Sequence, residues 1–280
     1  MIRRLLLLLL FAALVLLGRG YWNAIQDPQV RMARIHFPDW PAGAPPVRVV
    51  LISDLHVAGP DMPPTRLARI VKQVNALHPD LVLVAGDLVS DKEFATRHYD
   101  DAEAVAPLAG LSAPLGTIAV LGNHDHKRGA DGMREALAAI GVPVLDNEAV
   151  RRGPLTIAGA DDPTTAHGRP RELAKSAASL PEPSILLVHA PGFATRLDLD
   201  PRFRLILAGH THCGQIVLPQ LGAIAHYFSP KPAPLPCGLV NLDGRTTVVT
   251  SGLGTSIVPL RYGAPPDLWL LSLGPVPATR

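Results

Sequence analysis

Short apolar runs, each ending in a polar cluster, recur along this chain. Val47-Arg48-Val49-Val50-Leu51-Ile52 stops at Ser53-Asp54-Leu55-His56, and Leu81-Val82-Leu83-Val84 stops at Gly86-Asp87. Thr117 to Leu121 leads into Gly122-Asn123-His124-Asp125, Ile185 to Val188 into His189, and Leu205 to Ala208 into Gly209-His210-Thr211-His212. Runs of this length, rich in β-branched residues, predict buried strands. Between them, Leu67, Ile70, Val71 and Val74 recur at helical spacing, which predicts a helix capped by Thr65 and running to about Leu77. A polar helical stretch is predicted from Glu93 to Val105, with further helices over Met133 to Ile140 and Arg171 to Ala178. Val142-Pro143-Val144 and Leu155 to Ala158 read as strands, the second ending near Asp161-Asp162, and Leu268 to Leu273 as the closing strand. Leu239 to Leu242 and Thr246 to Val249, joined by Asp243-Gly244, predict a hairpin. Strands alternating with helices, followed by a β-rich tail, argue for one α/β domain of packed sheets over 47–280.

Two segments precede that domain. Leu5 to Leu17 contains no polar residue and follows Met1-Ile2-Arg3-Arg4, so 1–22 reads as a signal anchor or signal peptide. The apolar core is shorter than the roughly 20 residues that span a bilayer comfortably, although Tyr21 and Trp22 suit an interface. Gly18-Arg19-Gly20 is a mediocre cleavage site, which favours the anchor. Arg3 and Arg4 would stay in the cytoplasm, with the bulk of the chain outside it. Residues 23–46 hold Pro28, Pro38, Pro41, Pro45 and Pro46 and read as an extended connector.

Composition narrows the chemistry. A net charge of +2 over 280 residues gives no electrostatic case for nucleic acid. The chain lacks a Walker-type loop, a Gly-x-Ser-x-Gly elbow and a His-Glu-x-x-His pair, which disfavours serine hydrolases and helix-based zinc proteases. Eleven His against two Cys point to imidazole and carboxylate ligation rather than thiolate clusters.

Ligands of open α/β sheets gather beyond the carboxyl ends of strands. Here five predicted strands end at Asp54/His56, Asp87, Asn123/His124, His189 and His210/His212. In an extended segment residues i and i+2 point the same way, so Asp54 with His56, and His210 with His212, can face a common centre. The mixed oxygen and nitrogen set suits Mn, Fe, Zn or Ni rather than calcium. Seven side chains (Asp54, His56, Asp87, Asn123, His189, His210, His212) exceed one tetrahedral ion and fit two divalent ions sharing a carboxylate. Such pairs sit roughly 3.5–4 Å apart and clamp an in-line displacement at phosphorus, with ionised water as nucleophile. His124 is then left beside the metals, able to protonate a leaving alkoxide or steady the phosphate.

These blocks, in this order, resemble the calcineurin-like metallophosphoesterases over about 47–273. The resemblance implies a four-layer α/β/β/α sandwich behind an N-terminal hydrophobic anchor. It assigns Asp54, His56 and His212 to one metal, Asn123, His189 and His210 to the other, and Asp87 to the bridge. It gives His124 to the leaving group or phosphate with Asp125 behind it, so His124 and Asp125 are the expected catalytic pair. His210-Thr211-His212-Cys213-Gly214-Gln215, Gly252-Leu253-Gly254-Thr255-Ser256 and Arg261-Tyr262-Gly263-Ala264-Pro265-Pro266 look like the membrane-associated bacterial branch. Members of that branch are labelled phosphodiesterases or UDP-2,3-diacylglucosamine hydrolases. Cys213 stands where the branch has Gly; an inert residue or a disulfide partner of Cys237 is favoured over a metal ligand.

The expected activity is metal-dependent hydrolysis of a phosphodiester or pyrophosphate by metal-bound hydroxide, with Mn the expected metal in vitro. The substrate would be a small or lipid-linked phosphoester, met at the bacterial inner membrane with the domain periplasmic. UDP-2,3-diacylglucosamine is the specific alternative, although its usual cytoplasmic face conflicts with the predicted topology. A non-catalytic metal-binding scaffold is the alternative from another class. His36, His78, His98, His167 and His226 read as surface imidazoles, and Asp161-Asp162-Pro163 as an Asx-type turn or a site edge. His126 is a lesser substrate-contact candidate, and Arg128, Arg152 and Arg261 are unranked phosphate candidates.

Overall fold

Alternation along β2 (Val47–Ile52) sets the layers of the computed structural model, which describes residues 1–90, 92–196, 198–225 and 236–277. Val49 and Leu51 face one way, toward Leu83, Leu187 and Leu207. Val50 and Ile52 face the other, toward Leu67, Ile70, Val74 and Leu137 of helices. A strand buried on both faces needs a near-continuous apolar run, and β3 (Leu81–Ala85) is such a run.

The first sheet has the order β1-β13-β2-β3-β4, with β1 (Gln29–Phe37), β4 (Thr117–Val120) and β13 (Asp267–Pro275). On its outer face lie α2 (Pro64–Ala76), α3 (Asp101–Val105) and α5 (Ala130–Ala139). The second sheet has the order β11-β12-β8-β7-β6-β5. Its strands are β5 (Glu148–Arg152), β6 (Leu155–Gly159), β7 (Ser184–Leu187), β8 (Phe203–Ala208), β11 (Gly238–Leu242) and β12 (Arg245–Val249). Leu186 and Ile206 of this sheet pack outward on Leu173 and Ala177 of α6 (Pro170–Ala178) and on Phe193. The result is an α/β/β/α sandwich, as the resemblance implies. A small ribbon, β9 (Val217–Leu218) with β10 (Gly222–Ala223), lies outside the main sheets.

Several local expectations change. Residues 29–37, read as part of a connector, form β1 parallel to β13, with Ala33, Ile35 and Phe37 entering the core between the sheets. The alternation Ala33-Arg34-Ile35-His36-Phe37 carries that signal, and bracketing prolines obscured it. An ion pair of 2.6 Å between Arg31 Nε and Asp267 Oδ2 pins the register. The stretch from Glu93 is helical only over α3, where Asp100 caps by accepting from the Glu103 N–H at 2.7 Å. Before it, the backbone bonds instead to Gly59, whose N–H donates to Arg97 O and whose carbonyl accepts from Thr96 N. Thr65 is not a cap: α2 starts with Pro64 at its first turn behind Pro63. Val144 makes a single bridge to Ala119 rather than a strand. The Asp243-Gly244 hairpin forms, with positive φ at both residues.

The N-terminal helix extends further than the apolar run that ends at Leu17. Helix α1 (Ile2–Ile25) has 24 residues, about 36 Å at ~1.5 Å each, enough by length and apolar composition to cross a bilayer. Leu5 to Leu10 are exposed all round, whereas Gly20 and Ala24 are buried against the sandwich.

Candidate metal centre

The carboxyl ends of β2, β3, β4, β7 and β8 open on one edge, and there the backbone breaks abruptly from strand geometry. Asp54 has φ 50, His56 φ 46, Asp87 φ 53, His210 φ 70 and His212 φ 49. Each non-glycine residue in the left-handed region costs on the order of 1–3 kcal/mol, and such residues collect at functional sites. The Asp54/His56 and His210/His212 pairs are therefore not extended i, i+2 pairs. Left-handed turns keep both members of each pair at the edge instead of letting the strand carry the second one away. The loops stay tied together beyond the strands: Asp54 N–H donates to Gly86 O and His56 N–H to Asp87 O, both at 3.0 Å. Two glycines permit the approach. A Cβ on Gly209 would collide with Ser53 Oγ and Asp54 Oδ2, and one on Gly122 with Asp87 Oδ1.

The side chains meet in two groups. In one, His212 Nε2 lies 3.3 Å from Asp54 Oδ1 and 3.1 Å from His56 Nε2. In the other, His189 Nε2 lies 3.2 Å from Asp87 Oδ2, 3.2 Å from Asn123 Oδ1 and 3.1 Å from His210 Nδ1. Asp87 Oδ2 is also 3.5 Å from His56 Nε2, so one carboxylate touches both groups, reaching the first through His56 rather than through His212 directly. Ser53 Oγ donates to Asp54 Oδ2 at 2.5 Å, and His210 N–H to the same oxygen at 2.9 Å. His189 Nδ1–H donates to Ala85 O at 2.7 Å, which leaves Nε2 as the lone-pair nitrogen facing the cluster.

Does this set fit a pair of divalent cations? Donors held roughly 2.0–2.2 Å from one first-row ion stand about 3 Å from each other, and the observed separations have that size. His56 and His212 point ring nitrogens at each other at 3.1 Å in a buried space, an arrangement that two ligands of one cation would also adopt. Burial keeps His56 and His212 uncharged, with Arg261 reinforcing the effect at His212, and burial with the charge of His189 lowers His210. Burial also opposes charge on His189, but the Asp87 carboxylate wins and raises it to about 10. In return, His189 outweighs the burial of Asp87 and holds that carboxylate well below its usual range. The Asp87 carboxylate favours positive charge beside it, which a divalent ion would supply with His189 neutral. The residues fit.

The surroundings differ from expectation in places. Asp125 turns its carboxylate to the backbone. Its oxygens accept from Leu88 N–H at 2.8 Å, Val89 N–H at 3.3 Å and Gly122 N–H at 2.9 Å, so it shapes the two loops. Burial, with the charge of Asp87, raises its pKa to about 7. Asn123 and His124 begin a short helix, α4 (Asn123–Arg128), and the His124 N–H donates to Asp87 Oδ1 at 2.9 Å. The His124 ring meets that of His56 edge-on at 4.8 Å, on the accessible side of the cluster.

Arg261 is fully buried rather than poised for phosphate, and its guanidinium donates to Ser251 O, Gly252 O, Gly254 O and Ala264 O. Its role as an organiser behind His212 carries no sequence signal beyond the nearby glycines. Arg128 bonds to Tyr99 O and pairs with Asp101, and Arg152 bonds to Arg151 O on β5. Cys213 and Cys237 form a disulfide. His126 turns from the cluster to Asp161 Oδ1 at 2.7 Å and stacks on His167. Asp162 makes the Asx-type turn, accepting from Thr165 N–H at 2.8 Å. His36, His78 and His98 are exposed, and His226 lies outside the described residues.

Comparison with known proteins adds a family. A model described as calcineurin-like phosphoesterase matches residues 47–214, a span that contains every side chain of the two groups. A Bos taurus protein described as a transmembrane protein with metallophosphoesterase domain is 33% identical over 278 residues, covering 92% of this chain and 60% of that protein. Its Danio rerio counterpart is 32% identical over 273 residues, again covering 92% of this chain and 60% of the relative. This chain thus spans less than two thirds of either vertebrate protein. A crystal structure of a 5'-nucleotidase precursor from Thermus thermophilus aligns with TM-score 0.46 and 15% identity, covering 81% of this chain and 55% of that one. On the family match, which spans more than half of its length, the chain belongs to the calcineurin-like phosphoesterase family.

Proposed function

We propose that the chain is a metal-dependent hydrolase of a phosphodiester or pyrophosphate, held at a membrane by α1. The observation that carries this reading is the single buried carboxylate, Asp87, in reach of both His56 and His189. Asp54, His56 and His212 would hold one divalent ion, Asn123, His189 and His210 the other, and Asp87 both. Bound there, two divalent ions supply Lewis acidity that neutralises phosphoryl charge and acidifies water.

The chain's own residues do the rest. Ser53 and the His210 N–H fix the Asp54 carboxylate, and Ala85 O fixes the His189 tautomer. His124, half-exposed beside His56, is the group that can give a proton to the departing oxygen. Asp125 keeps the loop carrying Asn123 and His124 in register with the loop after Asp87. No covalent phosphoenzyme is needed.

Arg3 and Arg4 before the apolar run favour a domain outside the cytoplasm, at the bacterial inner membrane if the branch resemblance holds. UDP-2,3-diacylglucosamine is the substrate which that branch suggests, and this topology speaks against it. Domain limits of 1–22, 23–46 and 47–280 are retained as the working division, with β1 added to the folded part. Hydrolysis of bis(p-nitrophenyl) phosphate with Mn²⁺, abolished by chelator and restored by metal, tests the reading. Absence of turnover on phosphomonoester, phosphodiester and pyrophosphate substrates across a panel of divalent metals would favour a metal-binding scaffold instead.

A further inference from the structure

A groove of about 620 Å³ opens directly beside the candidate centre. His210 and His212 line it together with Ile216, Ile224, Ile257 and Val258. It is a built feature. Gln215 Nε2 donates to Val258 O at 2.9 Å and Leu260 O at 3.1 Å, while its Oε1 accepts from Ser256 N–H at 2.8 Å, tying one wall to the other. Ile224 N–H donates to Ile216 O at 2.9 Å, fixing the opposite side. Ile257 is 66% exposed, an apolar surface with no partner inside the described part of the chain. A groove lined this way offers little to an ionic or sugar head group and much to a hydrocarbon.

Its position supplies the second observation. The wall formed by 256–258 continues within two residues into the seat of α1. Arg261 N–H donates to Gly20 O at 3.0 Å, the Tyr262 hydroxyl donates to Leu16 O, and the side chains of Leu260 and Tyr262 pack where a Cβ on Gly20 would stand. One loop therefore joins the metal-ligand edge, the apolar groove and the root of the helix that is apolar on all sides. We propose that the groove receives the aliphatic chain of an amphiphilic phosphoester, whose phosphate sits at the His210/His212 edge while its chain never leaves apolar surroundings. This rests on the phosphoesterase reading above and adds the substrate class to it.

The full-length chain in lipid nanodiscs with Mn²⁺ is given methyl and dodecyl p-nitrophenyl phosphate diesters. It is separately given dodecyl phosphonate bearing a diazirine at the chain end. Each fully buried methylene is worth about fourfold in affinity, so a few in the groove give a large preference for the dodecyl ester. Bilayer partition also favours that ester, but equally in wild type and variant, so the comparison is between proteins. Ile257→Gln, at an exposed position outside the core, should lower the dodecyl-to-methyl ratio of kcat/KM at least about tenfold. The photoprobe should label Ile216, Ile224, Ile257 or Val258. An unchanged ratio in the variant, with labelling confined to lipid and α1, overturns the groove while leaving phosphoester hydrolysis intact. Groove labelling without hydrolysis of either ester under any divalent metal keeps the groove and removes the phosphoesterase reading.

Discussion

Oδ2 of Asp87 lies 3.2 Å from Nε2 of His189, with both side chains buried. The carboxylate is needed less for its shape than for its charge, because it lies within reach of ring nitrogens from both groups, His56 in one and His189 in the other. Asp87→Asn keeps the size and the acceptor for the His124 N–H but removes that charge. Metal analysis after gel filtration should fall from about two ions per chain to one or none. A fully loaded Asp87→Asn protein would contradict the bridge.

His124 should behave differently, since it borders the cluster without being required to complete either group. His124→Ala is expected to retain both metals and to lose roughly 10²–10⁴ in kcat on a diester with a poor leaving group. The loss should shrink with p-nitrophenolate, which leaves without needing a proton. Equal activity on both substrates removes the imidazole from the proton transfer.

Gly209 tests the close approach of two loops. A Cβ there would overlap Ser53 Oγ and Asp54 Oδ2, so Gly209→Ala must displace the Asp54 carboxylate or the turn carrying His210. Metal affinity should fall at least about tenfold while the far-ultraviolet circular dichroism is retained. Unaltered affinity would mean that Asp54 is not held where its hydrogen bonds imply.

The side chains that meet at the candidate centre were legible because each follows a buried strand, and a strand's apolar run is easy to see. Its geometry was not. Nothing in Asp54-Leu55-His56 or His210-Thr211-His212 announces left-handed backbone, which intrinsic preference disfavours for these residues and which tertiary contacts impose. The backbone partners of Asp125 were hidden for a related reason: adjacency to His124 says nothing about which way a carboxylate turns inside a helical first turn. β1 was hidden by the opposite problem, since its alternation is present but its prolines and arginines weigh toward a connector.

His126 and Asp161 give a pH signature away from the metals. Their hydrogen bond raises the His126 pKa, and it outweighs burial to hold Asp161 below its ordinary value. The His contribution is complete below about pH 6.5 and is lost as pH rises through the elevated value. The Asp contribution is complete above about pH 3.9 and is lost as pH falls through the depressed one. Asp161→Asn should therefore destabilise most between about pH 4 and 6.5, by about 1.5–3 kcal/mol, the usual worth of a hydrogen bond to a charged group. Denaturant melts of wild type and variant across about pH 4–9 check this. A difference that grows above about pH 8 would show that the pair is not ionic.

The last turns of α1 should matter to the domain as much as its first turns matter to the membrane. Arg261 N–H donates to Gly20 O at 3.0 Å, Asn23 Nδ2 to Arg261 O at 3.0 Å, and Arg66 Nη2 to Gln26 O at 2.7 Å. Both arginines are buried, and Arg66 also holds Leu253 O at 3.1 Å in the loop behind Asp54. A chain starting at Leu16 keeps these bonds; one starting at Gln29 leaves buried donors and an acceptor without partners. At about 1–3 kcal/mol for each, the shorter form should melt at least about 6 °C below the longer one. It should also bind Mn²⁺ more weakly, because the loop that loses its tie is the one packed on Asp54. Cleavage after Gly20 would break the first of these bonds and leave those of Asn23 and Gln26 in place, so intact-mass measurement of the membrane-extracted protein should find the segment retained. Equal melting temperatures for the two truncations would show that the helix root is only a tether.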